Sequence, residues 1–258
     1  MPMKALRILP LLLLLAGFTL FDRPPIIYLA GDSTMAQKLA SRRPETGWGE
    51  HLQQHFDMDR ARVVNLARNG RSTRTFIEEG RWREIADALK PGDYVFIQFG
   101  HNDASVEKTD RYTPPADYRR NLQRFVAEVR AKEAHPVLFT PVMRRRFDEN
   151  GTFYDAHGEY PNLVRAVAAE LRVPLIDMHR SSERVIREHG AEPSKALFLH
   201  IPPNTNPNYP QGLRDDTHFS PLGAELMAGL AVDGIRASVP ELAARLAGTA
   251  APAPAGPR

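Results

Sequence analysis

Short apolar, β-rich runs alternate with helical stretches along most of this chain, and that alternation constrains the fold more than any other feature. The strand-like runs are 26–30 (IIYLA), 62–66 (RVVNL), 94–99 (YVFIQF), 136–140 (PVLFT) and 174–177 (PLID). Helical patterns fill the intervals at 49–56, 76–89, 116–132, 161–171 and 180–189. A last one at 221–236 is opened by Ser220 as N-cap and Pro221 as first helical residue. Strands that are apolar throughout, rather than alternately, are buried on both faces, so helices must cover both sides of a parallel sheet. The expected fold is therefore α/β, a three-layer α/β/α domain around five parallel strands. Neither an internal repeat nor a linker interrupts 25–246, which reads as one domain.

The two ends read differently. Lys4 and Arg7 precede an apolar run from Ile8 to Phe21 that contains five consecutive leucines. Such a run is shorter than the ~20 residues that span a bilayer but suits the core of a signal peptide. Residues 1–24 are thus expected to direct export to the periplasm or beyond the cell. The absence of an A-x-A cleavage pattern leaves an uncleaved membrane tether open. Residues 247–258, rich in Ala, Pro and Gly, are expected to be a disordered tail.

Composition removes several classes of function. The chain has no Cys, which excludes disulfides, thiolate metal sites, a Cys nucleophile and a lipidated N-terminal Cys. The pI near 9.2 could suggest nucleic-acid binding, but outside residues 1–24 there remain 31 basic and 30 acidic residues with no basic stripe. Local clusters persist at Arg68/Arg71/Arg74 and Arg144/Arg145/Arg146.

In an open parallel sheet, sites form beyond the carboxyl ends of the strands. The first strand is followed by Gly31-Asp32-Ser33-Thr34-Met35, the second by Ala67-Arg68-Asn69-Gly70-Arg71-Ser72, and the third by Gly100-His101-Asn102-Asp103. Asp215-Asp216-Thr217-His218 precedes the last long helix. A serine hydroxyl is a weak nucleophile unless a neighbouring base takes its proton. His218 supplies an imidazole for Ser33, and Asp215, three residues earlier, can fix its tautomer. The backbone N–H groups of Ser33 and Gly70 and the side-chain amide of Asn102 are candidate donors to a developing oxyanion. Each motif alone has an ordinary structural reading as a turn or a cap. Their common edge and the chain order Ser…Asp…His make the combination specific.

Competing constellations fail. No G-x-S-x-G elbow occurs: Met35 and Arg74 stand where the last glycine would be. His51-Leu52-Gln53-Gln54-His55 has the spacing of a zinc helix but Leu52 in place of the catalytic Glu. There is no P-loop and no G-x-G-x-x-G, and Asp148, Glu149 and Asp155 form no evident carboxylate pair.

These residues resemble the SGNH, or GDSL-type, hydrolases, whose four signature residues fall on Ser33, Gly70, Asn102 and His218, with Asp215 completing D-x-x-H. Within that family the chain looks most like the rhamnogalacturonan acetylesterase branch, through Thr46-Gly47-Trp48-Gly49, NLARNGRSTRTF at 65–76, TPVMRRRFDENGTF at 140–153 and DDTHFSPLGA at 215–224. The resemblance covers about 26–236. It implies a flavodoxin-like sheet with the triad on its carboxyl edge, and metal-free, cofactor-free removal of acetyl groups from a plant cell-wall polysaccharide. It also implies that Asp215 rather than Asp216 is the triad acid and that Asp32 is structural. Acetylated xylan, a broad lipase or thioesterase activity, and a non-catalytic carbohydrate-binding role are the alternatives. Galacturonate is anionic, so Arg68, Arg71 and Arg145 are either solvated surface or substrate contacts. The expected partner is an acetylated polysaccharide or oligosaccharide, with no nucleic acid, no membrane partner beyond the tether, and a monomeric chain.

Overall fold

The structure is a computed structural model and describes residues 23–248. The leader reading of 1–24 lies outside the described residues except for Arg23 and Pro24, and the tail reading except for Ala247 and Gly248. Among the described residues no helix is long and apolar enough to cross a membrane.

All five expected strands form: β1 (Ile26–Gly31), β2 (Arg62–Asn65), β3 (Tyr94–Gln98), β4 (His135–Phe139) and β5 (Leu175–Ile176). They pair in parallel in the order β2-β1-β3-β4-β5. Alternate residues feed two separate cores. Ile27, Leu29, Phe96, Val137 and Phe139 enter one, together with α5 (Met178–His189), α6 (Pro221–Ser238) and α7 (Pro240–Ala243). Tyr28, Ala30, Val95, Ile97 and Leu138 enter the other, under α1 (Thr73–Glu78), α2 (Arg81–Ala88), α3 (Pro115–Ala131) and α4 (Tyr160–Leu171). The three-layer α/β/α expectation is met, and the period-two alternation of side chains is its physical cause.

Two local expectations are corrected. The helix expected over 76–89 is two helices, because Gly80 takes φ of +74° and breaks the run between α1 and α2. The stretch 49–56 forms two 3₁₀ turns, Trp48–Glu50 and Leu52–His55. Asp215 and His218 lie on β7 (Leu213–Phe219), which pairs antiparallel with β6 (Phe198–Ile201) in a second, two-stranded sheet that the sequence reading did not include.

The switch point of the main sheet is at β1, whose neighbours β2 and β3 lead to opposite ends of the strand order. The segments after β1, β2 and β3 therefore open into one crevice.

Candidate active site

Ser33 sits two residues past β1, in a turn closed by Met35 and Ala36 N–H donating to the Asp32 carbonyl. The Asp32 carboxylate, fully buried, accepts from Thr34 N–H at 2.9 Å and Thr34 Oγ1 at 2.8 Å. The turn is braced from outside. Trp48 N–H donates to the Thr34 carbonyl, Trp48 Nε1 to Gln98 Oε1, Gln98 Nε2 to Thr34 Oγ1, and Asn65 Nδ2 to the Met35 carbonyl. The glycines on either side of Trp48 allow this closeness. A Cβ on Gly47 would lie 2.1 Å from the Ala36 carbonyl oxygen, and one on Gly49 2.6 Å from that of Met35.

His218 Nε2 lies 2.8 Å from Ser33 Oγ, and His218 Nδ1 lies 2.7 Å from Asp215 Oδ2. The other oxygen of Asp215 accepts from Thr217 and His218 N–H at 2.7 and 3.1 Å. Burial pushes the Asp215 carboxyl up, but the bonds from His218 and Thr217 outweigh it and hold the group at about 2. With Asp215 ionised and accepting at Nδ1–H, Nε2 carries the lone pair that faces the serine hydroxyl.

Gly70, at φ of +74°, and Asn102 line the same cleft as Ser33 and His218. Among the described residues neither Ser33 N–H nor Gly70 N–H has an acceptor. Asn102 Nδ2 donates one proton to the Arg71 carbonyl at 2.9 Å, which leaves its second N–H free for a ligand. The sequence-derived set Ser33, Gly70, Asn102, Asp215 and His218 is thus brought to one place. Asp216 is not part of it: its carboxylate holds Arg145 and His200 at 2.6 and 2.8 Å.

The cleft holds about 580 Å³ and is lined by polar and charged side chains plus Gly70, with no aliphatic or aromatic hydrocarbon side chain. Six of the lining residues are basic (Arg42, Arg71, Lys108, Arg111, Arg144, Arg146) and three are acidic (Glu45, Glu107, Asp215).

The GDSL-like Lipase/Acylhydrolase family model matches residues 29–226. The chain belongs to this family. Rhamnogalacturonan acetylesterase RhgT of Bacillus subtilis is 43% identical over 216 residues, covering 84% of this chain and 91% of that protein. The probable rhamnogalacturonan acetylesterase YesY of the same organism is 40% identical over 211 residues, covering 81% and 92%. The solved structure of Axe2, an acetylxylan esterase from Geobacillus stearothermophilus, superimposes with a TM-score of 0.60 at 21% identity over 83% of this chain and 94% of that one, a likeness of fold.

In this GDSL-like frame the three arginines considered above separate. Arg145 does not reach the cleft. Its guanidinium is buried, bonded to Ser194 Oγ, Asp216 and the Ala191 carbonyl, and lies over the Phe147 ring. Burial alternates over 144–146: Arg144 and Arg146 are half-buried and line the cleft, whereas Arg145 between them is buried and does not. Arg68 is exposed and is not among the cleft residues. Arg71 lines the cleft but is paired with Glu79 at 2.9 Å. Arg42, Lys108, Arg144 and Arg146 line it without a salt bridge among the described residues. Sequence reasoning chose none of these four as a contact: three consecutive arginines look alike in sequence, and only the fold separates Arg144 and Arg146 from Arg145.

Asp155, His157 and His179 are a group whose ligand atoms lie within 4.8 Å of one another, close enough to hold a metal ion. His157 Nδ1 meets Asp155 Oδ1 at 2.8 Å, while His179 Nε2, 3.1 Å from Asp155 Oδ2, has no hydrogen-bond partner among the described residues. The Arg165 guanidinium approaches His179 Nδ1 at 3.3 Å, which favours the Nε2–H form and sets a cation beside the group.

Proposed function

We propose that this chain is a serine esterase that removes acetyl groups from rhamnogalacturonan through an acetyl-serine intermediate. The observation that carries the reading is the unbroken line Ser33 Oγ–His218–Asp215, with gaps of 2.8 and 2.7 Å, beside backbone N–H groups that have no acceptor among the described residues.

Ser33 Oγ attacks the acetyl carbonyl carbon while His218 Nε2 takes the hydroxyl proton. Asp215 stabilises the imidazolium that forms. Negative charge gathers on the former carbonyl oxygen, where Ser33 N–H, Gly70 N–H and the free Asn102 N–H can receive it. The tetrahedral centre collapses, the sugar oxygen leaves, and His218 gives it the proton. A water then attacks acetyl-Ser33 with the same base, releasing acetate and restoring the hydroxyl.

Two properties of the cleft support this substrate. A wall without hydrocarbon side chains offers nothing to a long acyl chain, which disfavours a lipase and suits an acetyl group. Unpaired Arg42, Lys108, Arg144 and Arg146 suit a polymer that carries carboxylates, whereas a neutral xylan backbone would leave them unused. The names of the relatives from Bacillus subtilis agree with the acidic polymer. The leader-like residues 1–24 support export, where such a polymer would be met. Acetate release from acetylated rhamnogalacturonan and from acetylated xylan tests the choice: the first should exceed the second at equal acetyl concentration, and the reverse order would favour xylan.

A further inference from the structure

Lys38 has no part in the mechanism above, yet its side chain is fully buried directly beneath it. An ammonium carries three protons to donate, and here each has an acceptor: the Ser33 carbonyl, Asn69 Oδ1 at 2.8 Å and Glu45 Oε1 at 2.7 Å. The first acceptor belongs to the nucleophile itself. The second belongs to the residue before Gly70, so both segments that offer unpaired backbone N–H groups to the cleft hang from one nitrogen. Glu45, the counter-ion, lines the cleft.

Burying a lysine is expensive, and an apolar side chain of similar volume commonly serves stability as well or better. Burial lowers the Lys38 ammonium from its ordinary value, and Glu45 opposes that shift. A structural role alone therefore gives little reason for a charge at this position, whereas the oxyanion gives one. We propose that Lys38 is a positioning residue for the oxyanion hole: its ammonium fixes the spacing between the Ser33 and Asn69-Gly70 turns and sets a positive charge behind their N–H groups. The proposal rests on the esterase reading and names a part of that same site which the sequence did not reveal.

The test uses the full chain with 4-nitrophenyl acetate as substrate and a small boronic acid, which forms a tetrahedral anion on a serine, as a probe of the oxyanion hole. Lys38→Met should lower kcat by about 10²-fold, the scale of a misplaced catalytic group, with KM within about twofold, and should weaken the boronate in parallel with kcat. Because Lys38→Met leaves Glu45 without its partner, Lys38→Met/Glu45→Gln is made as well, giving a neutral pair that should keep the wild-type circular dichroism and still lack the activity. If the double variant folds and retains kcat and boronate affinity within about threefold of wild type, the assignment is overturned. It is equally overturned if the double variant does not fold, since Lys38 then serves the fold. Wild-type turnover that is absent, or that survives in Ser33→Ala, overturns the esterase reading instead, and the role of Lys38 with it.

Discussion

His218 Nε2 stands 2.8 Å from Ser33 Oγ although 185 positions separate the two residues in the chain. One comes from the end of β1 in the parallel sheet, the other from β7 in the small antiparallel one. An antiparallel bridge between Thr46 and Phe219 ties β7 to the segment that follows β1.

Asp215 is the group whose charge this contact depends on. Asp215→Asn should lower kcat on a small acetyl ester by about 10³–10⁴-fold, because an amide can stabilise the wrong imidazole tautomer. The same residue makes a pH prediction. Its folded value of about 2 lies below the ordinary 3.8, so its stabilisation is fully present above pH 3.8 and is lost as pH falls towards 2. The Tm difference between wild type and Asp215→Asn should be constant from pH 7 to 5 and shrink between pH 4 and 2. A difference that does not change over that lower range would count against the assignment.

Asn102 presents one N–H to Arg71 and keeps the other for a ligand. Asn102→Ala should lower kcat by ~10²–10³-fold, the range for loss of an oxyanion donor, with a small change in KM. A rise in KM at unchanged kcat would instead make Asn102 a ground-state binder.

Arg146 and Arg145 are adjacent, but their substitutions should read out in different quantities. Arg146→Met removes an unpaired cation from the cleft and should raise KM on acidic polymer by about tenfold or more, in keeping with hydrogen bonds to charged groups. The effect should fade in high salt. Arg145→Met leaves Asp216 with His200 alone and empties a buried site, so it should lower Tm. Kinetics on the polymer and thermal melts of both variants separate the two roles. Equal effects of both substitutions on KM would contradict the placement of Arg145.

Much of this was legible from residue pattern alone. The apolar runs gave the five parallel strands and thereby the edge to search, and the polar residues at that edge gave Ser33, Gly70 and Asn102. Three features escaped for physical reasons. Leu213–Phe219 is mostly polar because it carries the site, so it has no strand-like apolar signature. Gly80 ends α1 through its backbone φ, which periodicity does not register. Lys38 is a buried charge whose partners at 33, 45 and 69 become neighbours only in the folded chain.

The Thr46-Gly47-Trp48-Gly49 motif, visible in sequence only as a likeness, acquires a cause in the structure. Gly47→Ala would place a Cβ 2.1 Å from the Ala36 carbonyl oxygen, and only backbone movement relieves that. It should destabilise the fold by about 1–3 kcal/mol, as overpacking does, and lower kcat by displacing the turn that holds Ser33. Urea unfolding and initial rates measure both. Unaltered stability would show that the nucleophile turn tolerates displacement.

The central claim is that the Ser33 hydroxyl, activated by His218, cleaves acetyl esters on an acidic polysaccharide. Acetate released from acetylated rhamnogalacturonan by wild type and by Ser33→Ala, both folded by circular dichroism, measures it most directly. Rapid release by wild type and background release by the variant is the predicted result. Comparable release by both proteins, or none by wild type, would contradict it.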